Sequence, residues 1–402
     1  MFRFIAPAGA PIGVRRILRS LFVTASRDGV AWDYEGYLAG QLEVRHVFGV
    51  SSGRAALWIV LRALHRMRPD RTVVAVPAYT CFTVPASIVR CGLQLHPVDI
   101  DPATLDFDYQ ELEAIPEGRL LCVVTSSLFG LVNNLPRIRD IAKAKNAYVI
   151  DDAAQALGAL WEGKQAGTLG DVGFYSLGRG KALATIEGGI IVTNSDEIAL
   201  AVKSEVASLP VPPVRHEAGL LIQMLTYTIF LRPRLYWIPK SLPFLRLGTT
   251  EYSPDFAVTD LPVMVRRLLP QLLPTLAENN QARARNAALL STGLAASPDF
   301  KIPQPAPECT PNYVRFPLIA RDRTLRARAL ELLESEGLGA SPFYPGAICD
   351  IPGVEPHMAP RRFHRPMAED VSQRLLTLPT HSLVRHEDIN KMMDVLLSLS
   401  SL

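Results

Sequence analysis

A chain of 402 residues, 48% apolar and 20% charged, can bury the core of roughly two globular domains and is not the composition of a disordered protein. The net charge of +3, without a basic stripe interleaved with aromatics, gives no reason to expect nucleic-acid binding. The five cysteines (Cys81, Cys91, Cys122, Cys309, Cys349) are scattered and never form a C-x-x-C pair, which fits a reducing compartment and argues against structural zinc.

The first residues, MFRFIAPAGAPIGVRRILRSLF, are interrupted by proline and arginine, so no signal peptide is expected. No run of about 18–20 apolar residues reads as a membrane span, and the expected location is cytoplasmic. From about residue 45 to 195, short β-type runs alternate with helical stretches. HVFGV (46–50) reads as a strand entering a Ser-Ser-Gly turn, followed by the helix RAALWIVLRALHRM. TVVAVP (72–77) is the next strand, and TVPASIVRCG a helix ending at Gly92. LQLHPVDID, LLCVVTSS and AYVIDD are three more strands, with the amphipathic helix LPRIRDIAKAKN between the last two. Apolar strands alternating with helices imply a mostly parallel sheet, whose ligands bind at the carboxyl ends of the strands. Ser52-Gly53, Ser127 and Asp151-Asp152 fall there. Residues 257–402 read differently: a long helical region, the strand YVRFPLIA, the helix TLRARALELLESEGL, then LLTLPTH and the helix HEDINKMMDVLLSL. This is the pattern of a smaller α+β domain.

Lys181 lies in GFYSLGRGKALATIEGG. A Walker loop needs G-x-x-x-x-G-K followed by Ser or Thr. Here Tyr175 stands six residues before the lysine and Ala182 follows it, so the nucleotide reading fails on spacing. Asp151 and Asp152 end a buried strand. They read either as a helix cap with a solvated neighbour, or as a carboxylate that keeps a heterocyclic nitrogen protonated. Pyridoxal phosphate (PLP) requires such a partner. It also requires a lysine whose surroundings lower its pKa, and an anion site such as SSGRAAL (51–57) at a helix start or Ser176.

Four stretches carry a family resemblance: VSSGRAALWIVLRAL, VPAYTCFTVPASIVRCGLQLHPVDIDPATLDFD, the run from LFGLVNN to TNSDEIA, and YPGAI with LTLPTH. In these the chain resembles the DegT/DnrJ/EryC1/StrS aminotransferases, almost continuously over residues 45–205 and more loosely in the last third. The resemblance implies an α/β protein of the fold-type I PLP-dependent transferases, with a mostly parallel central sheet in a large domain and a smaller C-terminal α+β domain. The divisions it suggests are 1–205, an apolar connection over 206–256, and 257–402. It implies PLP as cofactor, with Lys181 holding the aldehyde and shuttling the proton, and Asp152 paired with the ring nitrogen. Gln155 lies near the ring, Ser176 with the backbone of Gly53 and Arg54 forms the phosphate cup, and Glu187, Gly188 and Gly189 shape the turn after the lysine. It further implies a homodimer whose subunits complete each other's sites, glutamate as amino donor and a nucleotide-linked keto-sugar as acceptor.

The chain departs from the family pattern at four places. Arg54 stands where threonine is usual. Cys81 aligns with the aromatic that stacks on the cofactor, leaving Phe82 or Tyr79 to take that role. Ser127 replaces a frequent histidine, and no Gly-Tyr-Asn-Tyr-Arg segment appears near YSPDFAVTDLP. The related sugar dehydratases carry histidine in place of the lysine, so Lys181 favours transamination. The apolar stretch 219–248 is read either as dimer or interdomain contact, or as a peripheral membrane contact in which Arg232, Arg234 and Lys240 meet lipid phosphates beside Tyr236 and Trp237. RRFHRP (361–366) reads as a basic loop, and His65, His96 and His216 lack metal-ligand spacing. The rivals to a sugar aminotransferase are a PLP enzyme acting on a lipid-linked acceptor, and a PLP-binding scaffold or regulator at a membrane face.

Overall fold

The computed structural model describes residues 3–22, 33–242, 250–359 and 364–399. The ends of two motifs, 243–248 of the apolar stretch and 361–363 of the basic loop, lie outside the described residues.

Seven strands form the main sheet: β1 (His46–Val50), β2 (Val73–Pro77), β3 (Gln94–Val98), β4 (Leu120–Val124), β5 (Tyr148–Asp152), β6 (Val172–Ser176) and β7 (Gly189–Thr193). Their spatial order is β1-β7-β6-β5-β4-β2-β3. Strands β6, β5, β4, β2 and β3 pair in parallel, and only β7 runs against its neighbours. The mostly parallel sheet expected from the alternating pattern is therefore present. Strands β6 and β7, not read as strands from the sequence, flank the lysine segment and complete the sheet.

The apolar runs are continuous because both faces of the sheet are covered. Val73 and Ala75 of β2 enter one core, with the helices Leu135–Ala144 and Val263–Leu272. Val74 and Val76 enter the other, with Gly53–Met67, Thr83–Arg90 and Asp196–Val206. This period of two also sends consecutive residues at a strand end to opposite faces, which decides the fate of Asp151 and Asp152.

The C-terminal unit has a three-stranded antiparallel sheet of β8 (Phe300–Lys301), β9 (Phe316–Ala320) and β10 (Leu375–Leu378). The helices Leu276–Leu294, Arg323–Ser335 and His386–Ser398 cover it. Ile5 inserts into this core, and Arg3 pairs with Asp388 at 2.9 Å, so the N-terminal segment is stitched to the C-terminal unit. The helix Val263–Leu272 packs instead into the main body.

The apolar stretch forms the helix Val214–Phe230, buried along Leu220, Met224 and Thr228. Its opposite side leaves Ile222 and Ile229 exposed, so burial is one-sided rather than all-round. Lys240, one of the cations considered for lipid phosphates, pairs with Glu334 at 2.9 Å and lies over the ring of Phe4. No described helix is long and apolar enough to cross a membrane.

Candidate active site

The carboxyl ends of the strands open into a cavity of about 180 Å³. Its walls gather Gly53, Arg54, Asp152, Gln155, Ser176 and Lys181, six residues named from the sequence. The sheet brings them together from three separate segments, 53–54, 152–155 and 176–181.

After β1, Ser52 caps the helix Gly53–Met67, its Oγ accepting from the N–H of Ala55 at 3.1 Å. The first N–H groups of that helix and its positive dipole end therefore point at the cavity. Gly53 is required here: a Cβ would stand 2.8 Å from the Cβ of Ser176. Gly189 plays the same part behind the turn, where a Cβ would come within 2.3 Å of the Ser52 carbonyl oxygen. The two glycines let the helix start, Ser176 and the end of the lysine loop close on one small space.

Asp151 and Asp152 divide as the strand period dictates. Asp151 turns to the face behind the cavity, where Oδ2 accepts from the N–H groups of Gly167 (2.7 Å) and Leu169 (3.2 Å). Burial raises its pKa to about 6, opposed by those two bonds. It organises a loop. Asp152 faces the cavity, with Oδ1 accepting from the N–H of Ala154 at 2.9 Å. Burial pushes its pKa up to about 7, while the Ala154 bond and the charge of Lys181 pull it down. A carboxylate held this dry ionises readily only when a cation lies against it.

Lys181 sits in the loop between β6 and β7. Burial lowers its pKa, and the Arg315 guanidinium lowers it further, against opposing pulls from Cys81 and Asp152. A lowered pKa supplies the neutral amine that carbonyl chemistry needs. The loop is tied from several sides. Arg179 donates to Gln223 at 2.8 Å, His216 and Glu187 meet at 2.6 Å, and the fully buried Arg283 donates to the carbonyls of Ala182 and Gly9 at 3.1 and 3.2 Å.

Gln155 is fully engaged: Oε1 accepts from the N–H of Phe129 at 3.2 Å, and Nε2 donates to the Tyr344 hydroxyl at 3.1 Å. Tyr344, which the sequence did not single out as a site residue, lines the cavity from the C-terminal unit. Its neighbour Phe343 has φ 68° and packs 4.5 Å from Phe129, itself at φ 61°. Two non-glycine residues in the left-handed region, their rings in tilted contact, mark stored backbone strain beside the site. The YPGAI motif was the available signal for Tyr344; what the sequence could not show is that this segment folds over Gln155.

Phe82 is placed elsewhere. It caps the helix Thr83–Arg90 and packs on the core beneath it, while Cys81 and Thr83 on either side line the cavity. Tyr79 is buried edge-on to Tyr344, 5.8 Å between centroids, and does not line the cavity either. Ser126 and Ser127 complete the wall. Glu187 and Gly188 lie at the end of the lysine loop, Gly188 at φ 124°.

The model of the DegT/DnrJ/EryC1/StrS aminotransferase family matches residues 14–207 and 268–397. The chain belongs to that family. Among curated relatives, the GDP-perosamine synthase of Caulobacter vibrioides is 34% identical over 167 residues, 42% of this chain and 44% of that protein. A UDP-N-acetyl-3-dehydro-alpha-D-glucosamine 3-aminotransferase of Acidithiobacillus ferrooxidans is 26% identical over 96% of this chain and 92% of its own length. The first of these alignments spans less than half of the relative it matches. Among solved structures, Helicobacter pylori PseC, an aminotransferase of pseudoaminic acid biosynthesis, superposes with a TM-score of 0.79 at 17% identity, covering 100% of this chain and 99% of its own. That likeness establishes the fold.

The DegT/DnrJ/EryC1/StrS cavity of this chain fits pyridoxal phosphate by its donor set. A lysine with lowered pKa, a dry carboxylate that needs a cation, and a helix start beside a serine hydroxyl match the aldehyde, ring nitrogen and phosphate in turn. The Ser127 hydroxyl, buried in the wall, has no hydrogen-bond partner among the described residues and is available to a ligand.

Proposed function

We propose that this chain is a PLP-dependent aminotransferase that moves an amino group, from glutamate, to a nucleotide-linked keto-sugar in glycan biosynthesis. The observation that carries the reading is the convergence of Lys181, Asp152, Ser176 and Gly53 on one cavity at the strand ends. In this reading the cofactor supplies an electron sink once its ring nitrogen is protonated. Asp152 holds that proton in place, and the N–H groups of Gly53 and Arg54 with the Ser176 hydroxyl bind the phosphate. Gln155, fixed by Phe129 and Tyr344, presents a rigid amide beside the ring. The Lys181 amine, its pKa lowered by burial, would hold the aldehyde and would be the acid and base that moves the proton on which transfer of the amino group depends. Retention of lysine, where the dehydratase relatives of this resemblance carry histidine, supports transfer of nitrogen over elimination of water.

The same proposal places the enzyme in the cytoplasm as a homodimer. All five cysteines are free, as a reducing compartment requires. The exposed Val214, Ile222, Ile229 and Trp237 offer apolar surface to a second copy.

The test is the absorption spectrum of the purified protein before and after glutamate. The expected result is a visible band from the lysine-bound cofactor that glutamate converts to the shorter-wavelength amine form, and that Lys181→Ala lacks. A band that glutamate leaves unchanged would remove glutamate as donor. No band after incubation with PLP would remove the reading altogether.

A further inference from the structure

Arg54, Trp58 and Arg62 recur every four residues in the helix Gly53–Met67 and so share one face of it. Arg90, at the end of the helix Thr83–Arg90, and Phe256 interleave with them to make a ladder in the order Arg62, Trp58, Arg90, Phe256, Arg54. The guanidinium of Arg62 lies 4.8 Å and that of Arg90 5.0 Å from the Trp58 ring centroid. Those of Arg90 and Arg54 lie 4.2 and 5.0 Å from the Phe256 centroid. The two ends of the ladder differ in charge balance. At the far end the buried Glu205 holds Arg62 at 2.8 Å and Arg66 at 2.6 Å. At the cavity end neither Arg54 nor Arg90 meets a carboxylate among the described residues. Arg90 donates to the Phe256 carbonyl, and the Arg54 guanidinium rests on the ring alone. Burial lowers the Arg54 pKa, Cys81 opposes that, and the like charge of Arg90 lowers it again.

Arg54 lines the cavity and is half-buried, so one side of it remains open to solvent. Stacking fixes the plane of each fork without neutralising it, and two neighbouring guanidiniums with no acid between them repel. A dianion set between the forks would offset that repulsion, each fork offering it two parallel donors. The cofactor's phosphate is not that anion, because backbone N–H groups and Ser176 serve it while the Arg54 fork is drawn aside over Phe256. Resting on the proposed aminotransferase reading, we infer that Arg54 and Arg90 clamp a phosphate of the acceptor and select a phosphate-bearing acceptor over a free sugar. With the keto carbon at Lys181, the sugar ring holds a phosphate on another ring carbon away from the lysine and toward solvent. Arg54 stands where threonine is usual in the family pattern, so the clamp belongs to this chain and not to the shared phosphate cup.

The test is calorimetric titration of the PLP-loaded enzyme with UDP and GDP, and with uridine and guanosine as phosphate-free controls. Wild type is compared with Arg54→Met, Arg54→Lys, Arg90→Met and Arg62→Met. Methionine keeps an apolar stem against the ring, and the N–H of residue 54 stays in the cup. At least one diphosphate should bind wild type more tightly than its nucleoside, with Kd raised about 10- to 100-fold in Arg54→Met and Arg90→Met. Arg54→Lys should lose less, since it keeps the charge but not the fork. Arg62→Met should change Kd by less than about threefold, because Glu205 already answers that charge. Retention of PLP by Arg54→Met on dialysis should match wild type. Equal weakening in Arg62→Met would make the ladder structural, and loss of PLP with diphosphate binding intact would assign Arg54 to the cofactor. Either result, or a wild type that binds neither diphosphate, overturns the inference and leaves the aminotransferase reading standing. A wild type that shows no visible band with PLP overturns that reading, and the acceptor assignment with it, whatever the diphosphates do.

Discussion

The wall and the roof of the cavity are built by different rules. The wall comes from strand ends of the main sheet, where alternation forces each side chain to one face or the other. Asp151 and Asp152 show the consequence: adjacent in sequence, they are assigned to a loop-holding site and to the cavity by the pleat alone. The roof comes from the C-terminal unit, where Phe343 and Tyr344 descend on a strained segment and meet Phe129 and Gln155 through ring contacts and one hydrogen bond. A pleated wall leaves little freedom in where a residue points; a roof held by loops depends on tertiary packing.

The largest expected effect tests the wall. On the proposed reading, Asp152→Asn could not hold a proton on the cofactor's ring nitrogen, and its transamination rate is expected to fall by about 10³-fold or more with little loss of stability. Asp151→Ala should show the reverse. It strips the acceptor from one buried and one half-buried N–H group, so unfolding in denaturant should show a loss of about 2–4 kcal/mol, with activity per folded molecule close to wild type. If Asp151→Ala lost as much turnover as Asp152→Asn while remaining folded, the division of roles by strand face would be wrong.

Next in size is a pH effect at the seam between the two units. His381 is buried, its Nε2 donating to the carbonyl of Ala6 at 2.9 Å while Nδ1 accepts from the N–H of Leu383 at 3.3 Å. Burial lowers its pKa to about 4, below the value of about 6.5 in an unfolded chain. The unfolded state therefore binds the proton first. The stability from the neutral imidazole is complete above about pH 6.5 and is lost as the pH falls toward about 4, by up to about 3 kcal/mol. Asp151 and Asp152 titrate in the same range in both proteins, so chemical denaturation of wild type and His381→Gln between pH 4 and 7 should differ by the His381 contribution, wild type gaining more stability as the pH rises. Equal slopes would remove that contribution.

The same contrast explains how far the sequence could be read. The strand pattern and its switch to helical spacing gave the mostly parallel sheet, and the glycines at 53, 188 and 189 lay where turns were expected. Strand-end residues were legible because position on a strand determines position in space. Phe82 was not: it lies between two cavity-lining residues, but at the start of the helix Thr83–Arg90 it is half-buried against the core and does not line the cavity. Tyr344 was not placed in the site for a different reason. It lies in the YPGAI motif far from Lys181 along the chain, and only the docking of the C-terminal unit on the sheet brings it to the cavity. The apolar helix Val214–Phe230 likewise gave its hydrophobicity to the sequence reading but not its one-sided burial, which depends on the elements packed against Leu220, Met224 and Thr228.

The smallest expected effect tests the roof. Tyr344→Phe keeps the ring against Phe343 and removes the acceptor of the Gln155 Nε2 bond together with the hydroxyl's contact with the Cys81 thiol. A buried amide losing one neutral partner costs about 1 kcal/mol, which denaturant unfolding would resolve. Gln155 would still accept from the Phe129 N–H, so its carbonyl end stays in place and turnover should fall by less than about tenfold, the equivalent of that same loss. The informative quantity is the ratio of the two losses. If turnover fell far more than stability, the Tyr344 hydroxyl would take part in the reaction itself, and the roof would have to be counted with Lys181 and Asp152. If both losses matched, the hydroxyl serves to lock Gln155, and the chemistry belongs to the strand-built wall and its lysine loop.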